Sequence, residues 1–522
     1  MTSTAVAGAF SLRFTQNTQE TRMRHAMLGC RVGIVAAWLA TLTLIGCGGN
    51  NRDEPVKETP SAGKAVTVAS PTVIGPIPVS VPLGDPSHDY PQLATQANLG
   101  RYGYVEQEFF FHGTATRYNT TTPLQTGSVI STDSPYKSRM LVRRPTDPAK
   151  FNGVVVVEWV NVTSGYNYDL LWQASSDYFM REGYAYVGIS AQRVGVHQAN
   201  TGLVSWGSAR YGTLDVTVGG TVTDDSLSYD VFAQGARAVQ SPQGVNPLGN
   251  LRAPRLVLAS GVSQSQGRLV TYYNAVQALH NLFDGFYMYL GTGGRLRTDL
   301  NVKMFKINTE NDVALLGEGR ARQPNSDRLH TWEIAGASHV GYWDMQVRVP
   351  LVIRDALPVP NPTCDRPALS HVPAHHVLNS AYGHLVRWIT DGTPPPAAEP
   401  ITLVELGSAA VPATPTTPAV PATPSVPARD ANGNALGGIR LAEHAVPTAT
   451  NTGVNSGSNA FCRLYGVHEP FDAAKLRALY PSNQAYTAEV ARVTDRNLAT
   501  GYILRPEAEQ TKQEAADSTI GR

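Results

Sequence analysis

The chain has 522 residues, is 42% hydrophobic and 16% charged, and carries a formal net charge of +1. It therefore has the material for a large core, and without a basic excess or a basic face it is not expected to bind nucleic acid. Its length fits roughly two to four average domains, although a single α/β unit often exceeds the average size.

Arg22, Arg24 and Arg31 precede a charge-free apolar run over 32–46 that ends in Leu44-Ile45-Gly46-Cys47. A positive start, an apolar stretch and small residues at its end make a secretory signal peptide, expected over 1–46. The run falls short of the ~20 residues that span a bilayer, which disfavours a plain transmembrane anchor. The Leu-Ile-Gly-Cys ending resembles the lipobox of bacterial lipoproteins, which implies cleavage before Cys47 and acylation of that cysteine. Gly48, in place of Asp, resembles lipoproteins sent to the outer membrane of the cell envelope. Met23 and Met27 are alternative starts. The polar residues after Cys47 lead us to expect a disordered tether over 47–84.

From residue 85 to 522 we expect one α/β domain. The stretch 136–144 (YKSRMLVRR) alternates moderately, and 153–160 (GVVVVEWV) is rich in β-branched residues, like a strand covered on both faces of a parallel sheet. Residues 169–181 have helical spacing and stop at Gly183, and 184–190 (YAYVGIS) form the next strand. Residues 193–225, rich in Gly, Ser and Thr, read as a loop or small cap. A helix at about 227–240, a strand at 255–259, a helix over 268–282 and strands at 286–290, 302–307 and 331–334 follow. This alternation means right-handed crossovers and a mostly parallel sheet. The Pro/Ala/Thr-rich segment 409–428 cannot pack a core and reads as a polyproline-like excursion, with the residues beyond it packing back on the domain.

The turn GVSQSQG (261–267) follows the strand at 255–259. Ser263 and Ser265 each have small residues two places away on both sides, as a sharp nucleophile elbow requires, so spacing alone leaves both open. Just past the strand at 302–307 come Glu310 and Asp312, and just past the strand at 331–334 comes His339. A serine or a histidine alone would mean little. Nucleophile, acid and histidine in this order, each past a strand, form the triad pattern of α/β-hydrolases.

The stretches VVVVEWVNVTSG, YAYVGISAQRVGV, GVSQSQGRLVTYYNAV with FDGF, INTENDV and WEIAGASH resemble the motifs of a bacterial alpha/beta hydrolase domain family, largely uncharacterised and esterase-like. The resemblance runs on through WITDGTPPP and GNALGGIR. It implies the α/β-hydrolase fold and, by position, Ser263 as nucleophile. Gln266 departs from the small apolar residue expected there, which bears on packing behind the elbow. Independently, glycine suits the tight position two before the nucleophile better than serine, and Gly261 again favours Ser263.

His339 is then the base. Glu310 and Asp312 compete as the acid, and the spacing Thr309-Glu310-Asn311-Asp312, with the shorter side chain last, favours Asp312. The oxyanion donors expected are the backbone N–H of Gln264 and one near Asn161 or Val162, the competing reading of Asn161 being a side chain that caps a turn. No cofactor and no metal are expected. His371, His375 and His376 have near-helical spacing, but no Glu follows His371 and Pro373 interrupts the turn. Gly291-Thr292-Gly293-Gly294 lacks the phosphate-loop lysine.

After removal of the leader and lipidation of Cys47, Cys364 and Cys462 remain. An even pair in an oxidising compartment suggests a disulfide, the alternative being two buried thiols. The sequence thus points to a lipid-anchored, exported serine hydrolase acting on a small-molecule carboxylic ester. An amidase or peptidase with the same triad, or a scaffold that keeps the fold without turnover, is the alternative.

Overall fold

The computed structural model describes residues 66–405 and 425–522. The expected signal peptide over 1–46, the lipidation site Cys47 and the first part of the expected tether lie outside these residues.

Ten strands form one sheet: β1 (Thr72–Ile74), β2 (Tyr104–Asn119), β3 (Ser128–Pro145), β4 (Val154–Trp159), β5 (Ala185–Ile189), β6 (Gln243–Gly244), β7 (Leu256–Val262), β8 (Gly285–Tyr289), β9 (Lys303–Thr309) and β10 (Leu329–Ile334). Their order is β10-β9-β8-β7-β4-β5-β3-β2-β1-β6. From β10 to β5 all neighbours pair in parallel. The valine run of β4 is buried along its whole length. Alternate side chains enter opposite cores, Val155, Val157 and Trp159 on one face and Val154 and Val156 on the other. Two-sided burial is why this strand reads as an unbroken apolar run.

Helix α1 (Leu170–Glu182) covers one face with Leu171, Trp172 and Phe179, and α2 (Ser228–Gln240) covers the other with Val231, Phe232 and Ala236. Each fully buried side chain of this kind contributes about 1.5–3 kcal/mol. The helix expected over 268–282 starts earlier, as α3 (Gln264–Thr271), and continues through a π turn (Tyr272–Val276) into Gln277–His280. Residues 193–225 contain three short helices whose Val196, Leu203, Trp206 and Tyr211 form a separate apolar cluster.

Two expectations need correction. The tether expected over 47–84 does not persist over its last part, because β1 pairs with β2 and Val68 and Val73 are buried in the core. Three residues of mixed burial carry too little pattern to be read as a strand. The strand at 136–144 is only the inner half of β3, whose outer half, 128–135, is mostly exposed and therefore has no apolar alternation.

Much of the proline-rich segment lies outside the described residues, but its flanks Leu403–Glu405 and Ser425–Pro427 pair antiparallel. The two flanks are therefore neighbours, and 425–427, read as part of the excursion, is strand. Beyond it, Ile439 bridges to Ile334 of β10, and Ile503 and Ala508 pack beside α1 and α6 (Ala374–Asp391). Among the described residues no helix is long and apolar enough to cross a membrane.

Gly183 stops α1 at φ +77°, and a Cβ there would lie 2.1 Å from the Lys150 carbonyl oxygen. Gly183→Ala is expected to lower stability by at least ~2 kcal/mol, read as a drop in Tm, because it adds a clash to an unfavourable backbone conformation.

Candidate active site

The C-terminal ends of the parallel strands meet on one rim of the sheet. β7 ends at Val262 and α3 begins at Gln264, so Ser263 alone makes the turn between them. Its φ of +57° lies in a region that residues other than glycine seldom occupy. Neighbours on both sides hold it there. Its N–H donates to the Tyr289 carbonyl at 3.0 Å. The Ser265 hydroxyl donates to the Val262 carbonyl at 2.9 Å and accepts the Val262 N–H at 3.0 Å. A Cβ on Gly261 would sit 3.0 Å from the Ser265 carbonyl oxygen, tighter than ordinary contact. Ser265 is fully buried under the turn with its hydroxyl occupied, whereas Ser263 is part-exposed. Gln266 is buried behind the elbow against Met288 and Thr292.

Asp312 lies in the short helix α4 (Glu310–Ala314), directly after β9. Thr309 caps this helix, its N–H and hydroxyl donating to Asp312 Oδ2 at 2.7 and 2.9 Å. Oδ1 is thereby aimed at His339, whose Nδ1 lies 2.6 Å away. A carboxylate only accepts, so Nδ1 carries the proton and Nε2 is left as an acceptor. The Ser263 hydroxyl donates to Nε2 at 2.7 Å. Glu310, the competing acid, is spent elsewhere. One oxygen accepts the Gly336 N–H at 2.9 Å and the other pairs with Arg429 at 2.8 Å. The structure therefore brings Ser263, His339 and Asp312 into one hydrogen-bonded chain and leaves Glu310 outside it.

Of the expected oxyanion donors, Gln264 opens α3 and so has no intrahelical acceptor for its N–H. The expectation for Asn161 is corrected. Its backbone N–H donates to the Tyr168 carbonyl at 3.0 Å. Its side chain accepts the Thr163 N–H at 2.9 Å and donates to the Val262 carbonyl at 2.9 Å. Asn161 is thus a clamp between the loop after β4 and the elbow, the turn-capping reading, and not a free backbone donor.

Ser263 and His339 open into a cavity of about 410 Å³, lined also by Tyr168, Leu170, Arg348, Val359, Phe461 and Tyr465 among others. This volume suits a small organic molecule. Residues from 358–361 and from 459–465 wall it, and the Cys364–Cys462 disulfide, with Cα atoms 5.6 Å apart, ties these two segments together. His371 stacks on His468, and His375 on Trp343. Among the described residues no three His, Cys, Asp or Glu side chains gather as metal ligands would. Sequence reading missed the cavity walls and Arg348. The one local signal was a single cation inside the largely apolar stretch MQVRVPLVI.

Two outcomes follow for purified protein. Ser265→Ala is expected to lower Tm, from loss of ~1–3 kcal/mol of buried hydrogen bonding, while keeping substantial turnover. Cys364→Ser, Cys462→Ser and the double variant are expected to destabilise equally, by up to ~4–5 kcal/mol for a loop of this length, because each removes the same bond. Alkylation of two free thiols in native, unreduced protein would show that the bond is absent.

A family model described as an alpha/beta hydrolase domain matches residues 77–513. Among solved structures, the chain is similar to a serine hydrolase without a lid from Xanthomonas campestris, at 13% identity and TM-score 0.27 over 48% of this chain and 97% of that one. It is similar to a serine hydrolase homologue from Coxiella burnetii, at 11% identity and TM-score 0.25 over 42% of this chain and 91% of that one. A cold-adapted esterase from an Arctic intertidal metagenomic library matches at 10% identity and TM-score 0.26, over 44% of this chain and 85% of that one. No curated protein matches.

Proposed function

The chain belongs to the alpha/beta hydrolase domain family, and from that premise we propose that it is an exported serine hydrolase that cleaves small-molecule carboxylic esters through an acyl-enzyme. The observation that carries this reading is the chain Ser263–His339–Asp312, with its 2.7 and 2.6 Å hydrogen bonds at the mouth of a cavity. His339 Nε2 takes the Ser263 proton as Oγ attacks the ester carbonyl carbon. The imidazolium, held in place by Asp312, then protonates the leaving alkoxide as the C–O bond breaks. Water repeats the sequence on the acyl-serine and releases the acid. The tetrahedral oxyanion is met by the Gln264 N–H at the positive end of α3 and, since the Asn161 N–H is occupied, by the N–H of Val162 next to it. Export and membrane attachment at the bacterial envelope rest on the lipobox-like residues 44–47 and an acyl chain on Cys47.

A fluorophosphonate probe is expected to label Ser263, and Ser263→Ala to abolish labelling and hydrolysis together. Asp312→Asn is expected to cut turnover by ~10⁴-fold with an unchanged melt, whereas Glu310→Gln acts on Tm through Arg429 and largely spares turnover. An adduct on Ser265, or intact protein that reacts with neither probe nor ester, sinks the reading. In cells, Cys47→Ser is expected to block incorporation of a labelled fatty acid that the wild type takes up. A wild type that incorporates none removes the lipid anchor from the proposal.

A further inference from the structure

We propose that the ester bears a carboxylate group and that Arg348 binds it. The inference rests on the hydrolase reading above and adds the chemical class of the substrate.

Among the described residues, Arg348, on the helix α5 (Tyr342–Arg354), is the one Lys or Arg lining the cavity that holds Ser263 and His339, and no Asp or Glu lines that cavity. Elsewhere Arg139 is neutralised by direct contact with Glu108, Arg143 by Glu106 and Asp169, and Arg354 by Asp355. A second cavity of about 320 Å³ is also lined by cations, but there Lys306 pairs with Glu318 and Arg322 with Glu333. Among the described residues no carboxylate pairs with Arg348. Its Nε and Nη2 donate to the Tyr166 hydroxyl at 3.1 and 2.6 Å, and Nη2 donates to Ser164 Oγ at 2.5 Å. The rings of Tyr166 and Tyr168 lie 5.5 and 5.0 Å from the guanidinium carbon. Asp344, one turn earlier, interacts with Arg348 only through space, its carboxylate being engaged by the Gly341 N–H at 2.8 Å at the start of the helix.

A part-buried cation without a counter-ion is costly unless something supplies the charge. The neighbours of Arg348 are hydroxyls and aromatic faces, which orient the guanidinium without neutralising it. Of its five N–H donors, the two on Nη1 have no acceptor among the described residues. The Ser164 hydroxyl accepts from Nη2, so its own hydrogen can donate to the same anion. Two N–H groups and one O–H facing a cavity shared with the nucleophile match the acceptor geometry of a carboxylate. Held by Arg348 and not by Ser263 or His339, the anion selects the substrate and takes no part in bond making.

The test compares matched pairs on the full-length protein. Monoethyl adipate is set against ethyl hexanoate for a carboxylate on the acyl side, and 6-acetyloxyhexanoate against hexyl acetate for one on the alcohol side. In at least one pair the wild type is expected to prefer the charged ester by roughly 10- to 100-fold in kcat/KM, mostly through KM, the scale of one or two charge-assisted hydrogen bonds. Arg348→Gln is expected to bring the ratio of kcat/KM between the charged and the neutral ester to about one, whatever change the two share, and Arg348→Lys to retain part of the preference, since it keeps the charge but not the fork. No preference in either pair overturns the proposal, as does an equal loss on both members in Arg348→Gln, which would mark a purely structural arginine. Calorimetric binding of hexanoate against the neutral hexanamide to the wild type decides the matter even if the variants fail to fold, equal affinity being the negative result. Hydrolysis of the neutral esters without charge preference defeats only this inference, whereas hydrolysis of none defeats the hydrolase reading.

Discussion

The site depends on one backbone conformation, the positive φ at Ser263. Such a conformation costs about 1–3 kcal/mol and persists only where the surroundings over-determine it. Here the supports come from three separate parts of the chain. Tyr289 of β8 takes the Ser263 N–H, Ser265 of α3 binds both polar atoms of Val262, and Asn161 after β4 reaches across to the Val262 carbonyl. Each support is itself anchored in the buried parallel sheet, so the turn inherits the rigidity of β4, β7 and β8. The sharp turn also lifts Ser263 above the strand ends, where His339, from the loop after β10, reaches it and Asp312, from the helix after β9, reaches His339.

The same carboxylate performs a local and a distant task. Asp312 Oδ2 caps α4 through Thr309, while Oδ1 sets the tautomer of His339. A side chain already fixed by its own helix start loses little further entropy in holding the imidazole. Opposite the triad, the cavity is built from segments far apart in sequence. The loop after β4 supplies Ser164 and Tyr168, α5 supplies Arg348, and the disulfide-linked walls supply Val359 and Phe461. Leu351 and Val352 of α5 pack with Tyr166, Tyr168 and the short helices of 193–225, so the cap segment braces Arg348 rather than standing over the nucleophile as a separate layer.

How legible each feature was depended on whether its cause was local. The valine run of β4 and the Gly183 stop are imposed by neighbours a few residues away, and both read correctly. The order of serine, acid and histidine was legible because parallel crossovers return every strand with its C-terminal end on the same rim, which turns sequence order into spatial proximity. β1 and the outer half of β3 were not legible, since a three-residue strand and a solvent-facing one lack the periodicity that burial imposes.

The sequence by itself therefore determined the fold class, the rim on which the candidate chemistry stands, and the position of Ser263 rather than Ser265 at the sharp turn, through Gly261 and the steric limits of that turn. Tertiary structure alone placed Asp312, and not Glu310, against His339, because the partner that occupies Glu310 is Arg429, 119 residues away. It alone showed that the Asn161 N–H is taken by Tyr168 and that, among the described residues, no carboxylate pairs directly with Arg348. Both facts concern which hydrogen-bonding groups remain unpaired after folding. That balance is settled across the whole molecule, so no stretch of sequence contains it.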